Sequence, residues 1–478
     1  MYYNPFNGPI EKLVASDLAV LREVPEGWHI EYKREAVKAI DFAKAIAAMA
    51  NTYGGWIFVG VCEKTKEHPT ADAFVGIAKS ELRSTIEKIR NGVANSVNPA
   101  PHYAVKVING PSDELQLIES NAILVIEVRQ SPTAPHLLSD GRVYRRVADS
   151  SQPTYETDRH FMDQLFRRRE VIDKSTEEWV NRDPRFSEDE LELGYLRLMF
   201  QVDPWMLNDP FFGATHHEVK QILNAKRPTW YDFNLDSVFQ KPNGFFCRQT
   251  KGNDPSQIGL TLSFSRELAG ELLVPLATTN FISHHPGIPA LNGYSNYRRF
   301  IDIVKQHRFS YIRIIDLNLV FATIYSFVSK YRALLTHAGK SCSFYTKTKL
   351  LNIHRSIPFL DIDALMTEFE ENGIPVSFES ESCFPSGKSP EDFLHISDQN
   401  DTTLGNESEA QLNHDDAEKL AVFNQAYGIF AGVAQSLNLT LGRFDRGRIV
   451  PIFGLVELNE AMTKAQRIQE TRMRRKID

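Results

Sequence analysis

Residues 37–61 read VKAIDFAKAIAAMANTYGGWIFVGV. The first fourteen are almost all strong helix formers, with so few polar positions that the helix they predict over 37–50 must be buried on most sides. Asn51 and the Gly54-Gly55 pair follow, residue types that tolerate the left-handed backbone of a helix C-cap. Trp56–Val61 is then a continuous apolar run, the pattern of a strand covered on both faces. The glycines also permit a second reading, a loop whose backbone approaches a phosphate. Either way, a buried helix turning into a buried strand demands helices packed on a sheet, and the chain reads as α+β.

Patterns on both sides agree. Ile10, Leu13, Val14, Leu18 and Leu21 recur at helical spacing, and 28–33 reads as a short strand. Downstream, a helix is expected at about 80–96, strands near 103–108 and 122–128, a short strand at 142–147, and a helix containing FMDQLFRRRE. These make a first domain over 1–170, a helical connector over 171–200 and a second α+β region over 201–478. In that second region IGLTLSFSRELAGELLVPL predicts paired strands, and YIRIIDLNLVFATIYSFVSKYRALL a strand followed by an amphipathic helix. Residues 385–414 are polar and read as a flexible loop. A late helix (417–437), a strand in RIVPIFGLVEL and a basic tail, Arg472 to Lys476, complete the chain.

The 478 residues are 42% hydrophobic and 24% charged, the composition of a globular protein. No apolar run is long enough for a membrane span, and the first residues lack a signal-peptide pattern, so a cytoplasmic protein is expected. The four cysteines form no C-x-x-C pair and are expected to be reduced. A net charge of −7 argues against a general nucleic-acid coat but leaves room for a local basic patch.

Residues 26–35, EGWHIEYKRE, carry the chemistry. Glu26 and Glu31 flank a short strand, and Glu63 follows the 56–61 strand. If the two strands are neighbours, three carboxylates approach one point. They repel one another unless a divalent cation sits among them, and Mg²⁺ or Mn²⁺ takes such oxygen ligands. Lys33 can then face a phosphate. The plainer account is a solvated strand edge, since charged residues are mostly exposed.

Several motifs occur in order: Glu26, Glu31-Tyr32-Lys33, then Met49-Ala50-Asn51-Thr52-Tyr53-Gly54-Gly55, then Val59-Gly60-Val61-Cys62-Glu63. Phe74-Val75-Gly76-Ile77, Ser131–His136 and Gly141–Arg146 follow. Together they resemble the Schlafen core domain, known in bacteria as the AlbA_2 or divergent AAA type, over about residues 8 to 170. That resemblance implies a metal-dependent endoribonuclease acting on structured RNA such as tRNA, in antiphage defence or toxin-like growth arrest. It implies catalytic and metal-binding roles for Glu26, Glu31 and Glu63, with Glu67 and Asp72 as alternatives for the third acid. Lys33 would join them in catalysis.

Arg34, Lys38, Arg142, Arg145 and Arg146 are the candidate nucleic-acid contacts, which would set affinity and salt dependence rather than sequence choice. Arg145 and Arg146 point to opposite sides of a strand, so one is expected at phosphate and the other on a carboxylate. Arg167–Arg169 read equally as substrate contacts or solvated surface. His29 and His136 lie near the proposed site. His216-His217 and His284-His285 read as turn or helix-start residues. No Walker A motif is present: Leu334 and Ser382 stand where Gly339-Lys340-Ser341 and Gly387-Lys388-Ser389 would need an earlier glycine. The rival function is a non-catalytic DNA-binding regulator. Residues 201–478 match no motif and suit a second RNA-clamping lobe, a sensor, or a surface for a second copy or a defence partner.

Overall fold

A computed structural model describes residues 3–6, 10, 13–65, 68–147, 150–205, 212–249, 254, 256–283, 287–398, 414–445, 448–451 and 455–475. Contacts divide the chain into two compact units, Met1–Asn181 with Trp205–Asp209, and Arg182–Pro204 with Pro210–Asp478.

In the first unit β1 (Ile30–Lys33) is followed by α1 (Ala39–Asn51), β2 (Gly55–Val59), β3 (Cys62–Glu63), β4 (Ala71–Ala73) and β5 (Ile77–Ala78). Then come α2 (Leu82–Ser96), β6 (Val97–Asn98), β7 (Tyr103–Asn109), β8 (Asn121–Val128), β9 (Leu137–Leu138), β10 (Tyr144–Val147), β11 (Ser150–Tyr155) and α3 (Arg159–Asn181). The main sheet runs β1-β2-β8-β5, with β7 also paired to β8. β1 and β2 are parallel, Glu31 opposite Ile57 and Lys33 opposite Val59.

The alternation of side chains fixes both layers. Ile30, Tyr32, Trp56, Phe58, Ile123 and Val125 face Leu18 and Leu21 of a 3₁₀ helix, Ala15–Glu23. Ile57, Val59, Leu124 and Ile126 face Phe42, Ile46 and Met49 of α1 and Ile89 and Val93 of α2. Of the residues at helical spacing over 10–21, Ile10, Leu13, Leu18 and Leu21 are buried and Val14 is exposed, and the helix is 3₁₀ and starts at Ala15.

The Asn-Gly stretch is a cap. Gly54 donates to the Met49 carbonyl at 2.8 Å and sits at φ +77°, where a Cβ would lie 2.7 Å from the Val128 carbonyl oxygen. Only glycine fits there. The phosphate-loop reading of NTYGG gives way to helix termination and strand entry.

In the second unit Tyr195–Gln201 is central to an antiparallel sheet, between Gly270–Pro275 and Phe344–Leu351. The expected strand pair is present as Thr261–Ser265 against Gly270–Pro275. A second sheet aligns Thr278–Ile282, Tyr311–Asp316 and Ser356–Phe359. Between the sheets' strands the helix Leu317–His337 is buried along nearly its whole length, not amphipathic as expected, because the helix His414–Ser436 covers it.

Two expectations of organisation differ. α3 continues unbroken across residue 170, and the rest of the expected connector contains the first strand of the second unit. Of the expected loop at 385–414, residues 399–413 lie outside the described residues, while Leu394–Ile396 pairs with Phe344–Thr346 as a strand.

Candidate functional site

The polar centre of the first unit is built around β1. Ile30 and Tyr32 point into one core layer, so Glu31 and Lys33 share the opposite face. Glu31 is 1% exposed. One of its oxygens accepts from Lys33 Nζ at 2.6 Å and the other from Arg146 Nη1 at 2.8 Å. Arg146, also fully buried, donates further to the carbonyls of Gly27 (2.6 Å from Nη2) and Ile30 (3.2 Å). Its backbone N–H donates to Thr52 Oγ1 at 3.0 Å. A buried charge is tolerated only when paired and hydrogen-bonded, and this guanidinium has both.

Glu26 lies beside that pair. Its Oε1 accepts from the Tyr32 N–H at 3.0 Å, and its own N–H donates to Pro69 O at 2.8 Å. Burial pushes its carboxyl up to about 7, with the neighbouring charge of Glu31 adding to the rise. The Tyr32 hydrogen bond and the cations of Arg146 and Lys33 oppose it. A carboxyl held near neutrality can take up and release a proton near pH 7.

The three-glutamate cation site is not formed. Both oxygens of Glu31 are engaged by cations, and Glu63 is exposed on the β3–β4 ribbon. Among the described residues no side-chain contact joins Glu63 to Glu26 or Glu31, and no group of three or more His, Cys, Asp or Glu is arranged for a metal. Asp72 is exposed on β4, and Glu67 lies outside the described residues. The donor set present therefore does not fit an ion shared by the three.

The expected nucleic-acid contacts divide in the same way. Arg34 and Lys38 are exposed and, among the described residues, have no ion-pair partner. Arg142 is exposed, with its guanidinium 4.8 Å from the Tyr155 ring centre. Arg145 is bonded to Glu156 at 2.7 Å and lies over Phe161. Both neighbouring arginines thus meet carboxylates, Arg146 while fully buried and Arg145 while partly exposed. Arg146 in particular is an internal tie, not a surface contact.

Other polar residues here are structural in ways the sequence did not signal. Asn51, fully buried at the end of α1, donates to the carbonyls of His136 and Tyr144 at 3.0 Å each and accepts from the His136 N–H at 2.7 Å. Arg168 donates to the carbonyls of Asn51 and Ser131 at 2.9 Å, and burial lowers its pKa to about 10. Of the Arg167–Arg169 run only Arg167 is a solvated arginine, since Arg169 bonds Asp173. His136 is buried against the Pro99 carbonyl, which removes it from any substrate. His216 and His217 begin a helix capped by Thr215, while His284 and His285 lie outside the described residues.

A family model described as Schlafen, AlbA_2 matches residues 26–155, from Glu26 to the last residue of β11. These residues form a Schlafen AlbA_2 domain. The Schlafen domain thus takes in Glu26, Glu31, Lys33 and Arg146 and ends before α3. No curated protein matches the chain. Among solved structures, the DIP2311 protein from Corynebacterium diphtheriae is 20% identical over 27% of this chain and 26% of that one, with a TM-score of 0.18. The chain so covers about a quarter of that protein's length. No helix among the described residues is long and apolar enough to cross a membrane.

Proposed function

We propose that the Schlafen domain binds and cleaves structured RNA such as tRNA. The observation that carries this is the buried polar centre in which Glu31 holds Lys33 at 2.6 Å and Arg146 at 2.8 Å, with Glu26 beside them and its carboxyl raised by burial to about 7. In this role ionised Glu26 accepts the proton of the attacking hydroxyl, and Lys33 offsets the negative charge that builds on the phosphate. Exposed Arg34, Lys38 and Arg142 hold the backbone, which suits recognition of an A-form helix through phosphates and 2′-hydroxyls. The resemblance alone supports a role in defence or growth arrest. Glu26, Glu31 and Glu63 do not fit a shared Mg²⁺ or Mn²⁺ ion.

The second reading, a DNA-binding module without catalysis, draws on the absorption of Glu31 into the Arg146 ion pair. Incubating purified protein with tRNA in Mn²⁺ buffer separates the two. Fragments from the wild type and intact tRNA with Glu26→Gln support cleavage. Intact tRNA with both, together with a duplex-DNA gel shift unchanged by Glu26→Gln, supports the binding module.

A further inference from the structure

Beside the acidic centre the Schlafen domain exposes two aromatic rings that its core does not use. Trp28 is 36% exposed and Tyr53 41% exposed. Their centroids are 5.5 Å apart with the planes inclined at 59°. The row continues inward through His29, 6.0 Å from Tyr53, to Tyr3, stacked on His29 at 5.2 Å. Burial keeps the His29 imidazole below its usual pKa, so the row carries no cation of its own.

The placement of these rings is tied to Arg146. Its side chain holds the carbonyl of Gly27, the residue before Trp28, and its N–H holds Thr52, the residue before Tyr53. One buried arginine thus anchors both ring-bearing segments and Glu31. Lys33 is reached from Gly27 through three contacts: Gly27 to Arg146 at 2.6 Å, Arg146 to Glu31 at 2.8 Å, and Glu31 to Lys33 at 2.6 Å.

We infer that Trp28 and Tyr53, on the two segments that Arg146 anchors, form a stacking subsite for an unpaired nucleobase of the RNA. The inference rests on the nucleic-acid reading of the domain and narrows its substrate. Exposed aromatic surface on a domain that also exposes Arg34, Lys38 and Arg142 matches a flexible strand, whose phosphates take the charges while its splayed bases take the rings. A continuous duplex keeps its bases stacked on each other and cannot use the rings. The preferred target is therefore a loop, bulge or single-stranded end of a structured RNA. An inclined pair offers a base one face and one edge, contacts that tolerate any base identity.

The test is fluorescence-anisotropy titration of full-length protein carrying Glu26→Gln, which keeps the probe uncut. The probes are a labelled single-stranded RNA 12-mer, a 12-nucleotide abasic strand and a 12-base-pair RNA duplex. Trp28→Ala and Tyr53→Ala should each weaken the single strand by roughly 5- to 100-fold. Neither should change the abasic strand or duplex by more than about twofold, and Trp28→Phe should recover most of the loss. Equal losses on all three probes, or none on any, overturn the subsite while leaving nucleic-acid binding intact. A changed elution volume for Trp28→Ala without a change in RNA affinity assigns the rings to self-association and also overturns it. Absence of binding to any probe by the Glu26→Gln parent defeats both the subsite and the nucleic-acid reading.

Discussion

Glu31 and Arg146 lie 115 residues apart in sequence and meet at 2.8 Å, each almost wholly removed from solvent. β1 presents Glu31 to the α1 side of the sheet, and β10 returns Arg146 to the same place. The pair closes the Schlafen domain on itself and fixes the loop that carries Glu26.

Removing one partner should therefore strand a buried charge. Arg146→Met is expected to destabilise the domain by about 3–5 kcal/mol, read as a lower urea midpoint at unchanged slope. In the Arg145–Glu156 pair the carboxylate is buried and only the arginine is partly exposed, and Glu156 keeps the N–H groups of Thr157 and Asp158, so Arg145→Met should cost less than Arg146→Met. Equal losses for the two would contradict the burial difference.

Asn51 makes three hydrogen bonds in a site without water access. Asn51→Ala leaves the carbonyls of His136 and Tyr144 and one N–H without that partner, a loss of about 2–3 kcal/mol. Gln at this position, one methylene longer, should not rescue it. Thermal melting with a wild-type-like midpoint would contradict the hub.

Glu26 gives a pH dependence with a definite sign. Its carboxyl is raised from 4.5 to about 7 in the folded protein. Its contribution to stability is therefore fully present below about pH 4.5 and is lost as pH rises through 7. Glu26→Gln should flatten the melting-temperature profile across that interval. A wild-type profile that rises from pH 4.5 to 7, with the rise removed by Glu26→Gln, would contradict the buried acid.

The occupied oxygens of Glu31 set an expectation for metal addition. Titrating Mn²⁺ into the protein should give no saturable rise in melting temperature that Glu31→Gln abolishes. Such a rise would mean that the ion displaces Lys33 and Arg146, restoring the cation site that these contacts oppose.

The layers of the Schlafen domain were legible in the sequence because helix and strand periodicity are local. The buried run at 37–61 announced α1, its cap and β2, and the motif order from Glu26 to Arg146 led to the family. What the sequence hid was pairing across distance. Nothing near Glu31 marks Arg146 as its partner, nothing near Arg145 marks Glu156, and Asn51 looked like a cap residue alone. The same blindness produced the three-carboxylate expectation. Sequence placed Glu26, Glu31 and Glu63 near adjacent strand ends, but not the two cations already bound to Glu31. In the second unit the long apolar helix looked amphipathic because its cover, His414–Ser436, comes almost a hundred residues later in the chain.

In the proposed function Glu26 moves a proton during RNA cleavage. Its most direct test is the initial rate of tRNA cleavage from pH 5.5 to 8.5, with wild type and Glu26→Gln side by side. The expected wild-type rate climbs about tenfold per pH unit below 7 and levels off above it, while Glu26→Gln leaves tRNA intact throughout. Intact tRNA with the wild type at every pH, or cleavage by Glu26→Gln with the same profile, would contradict the claim.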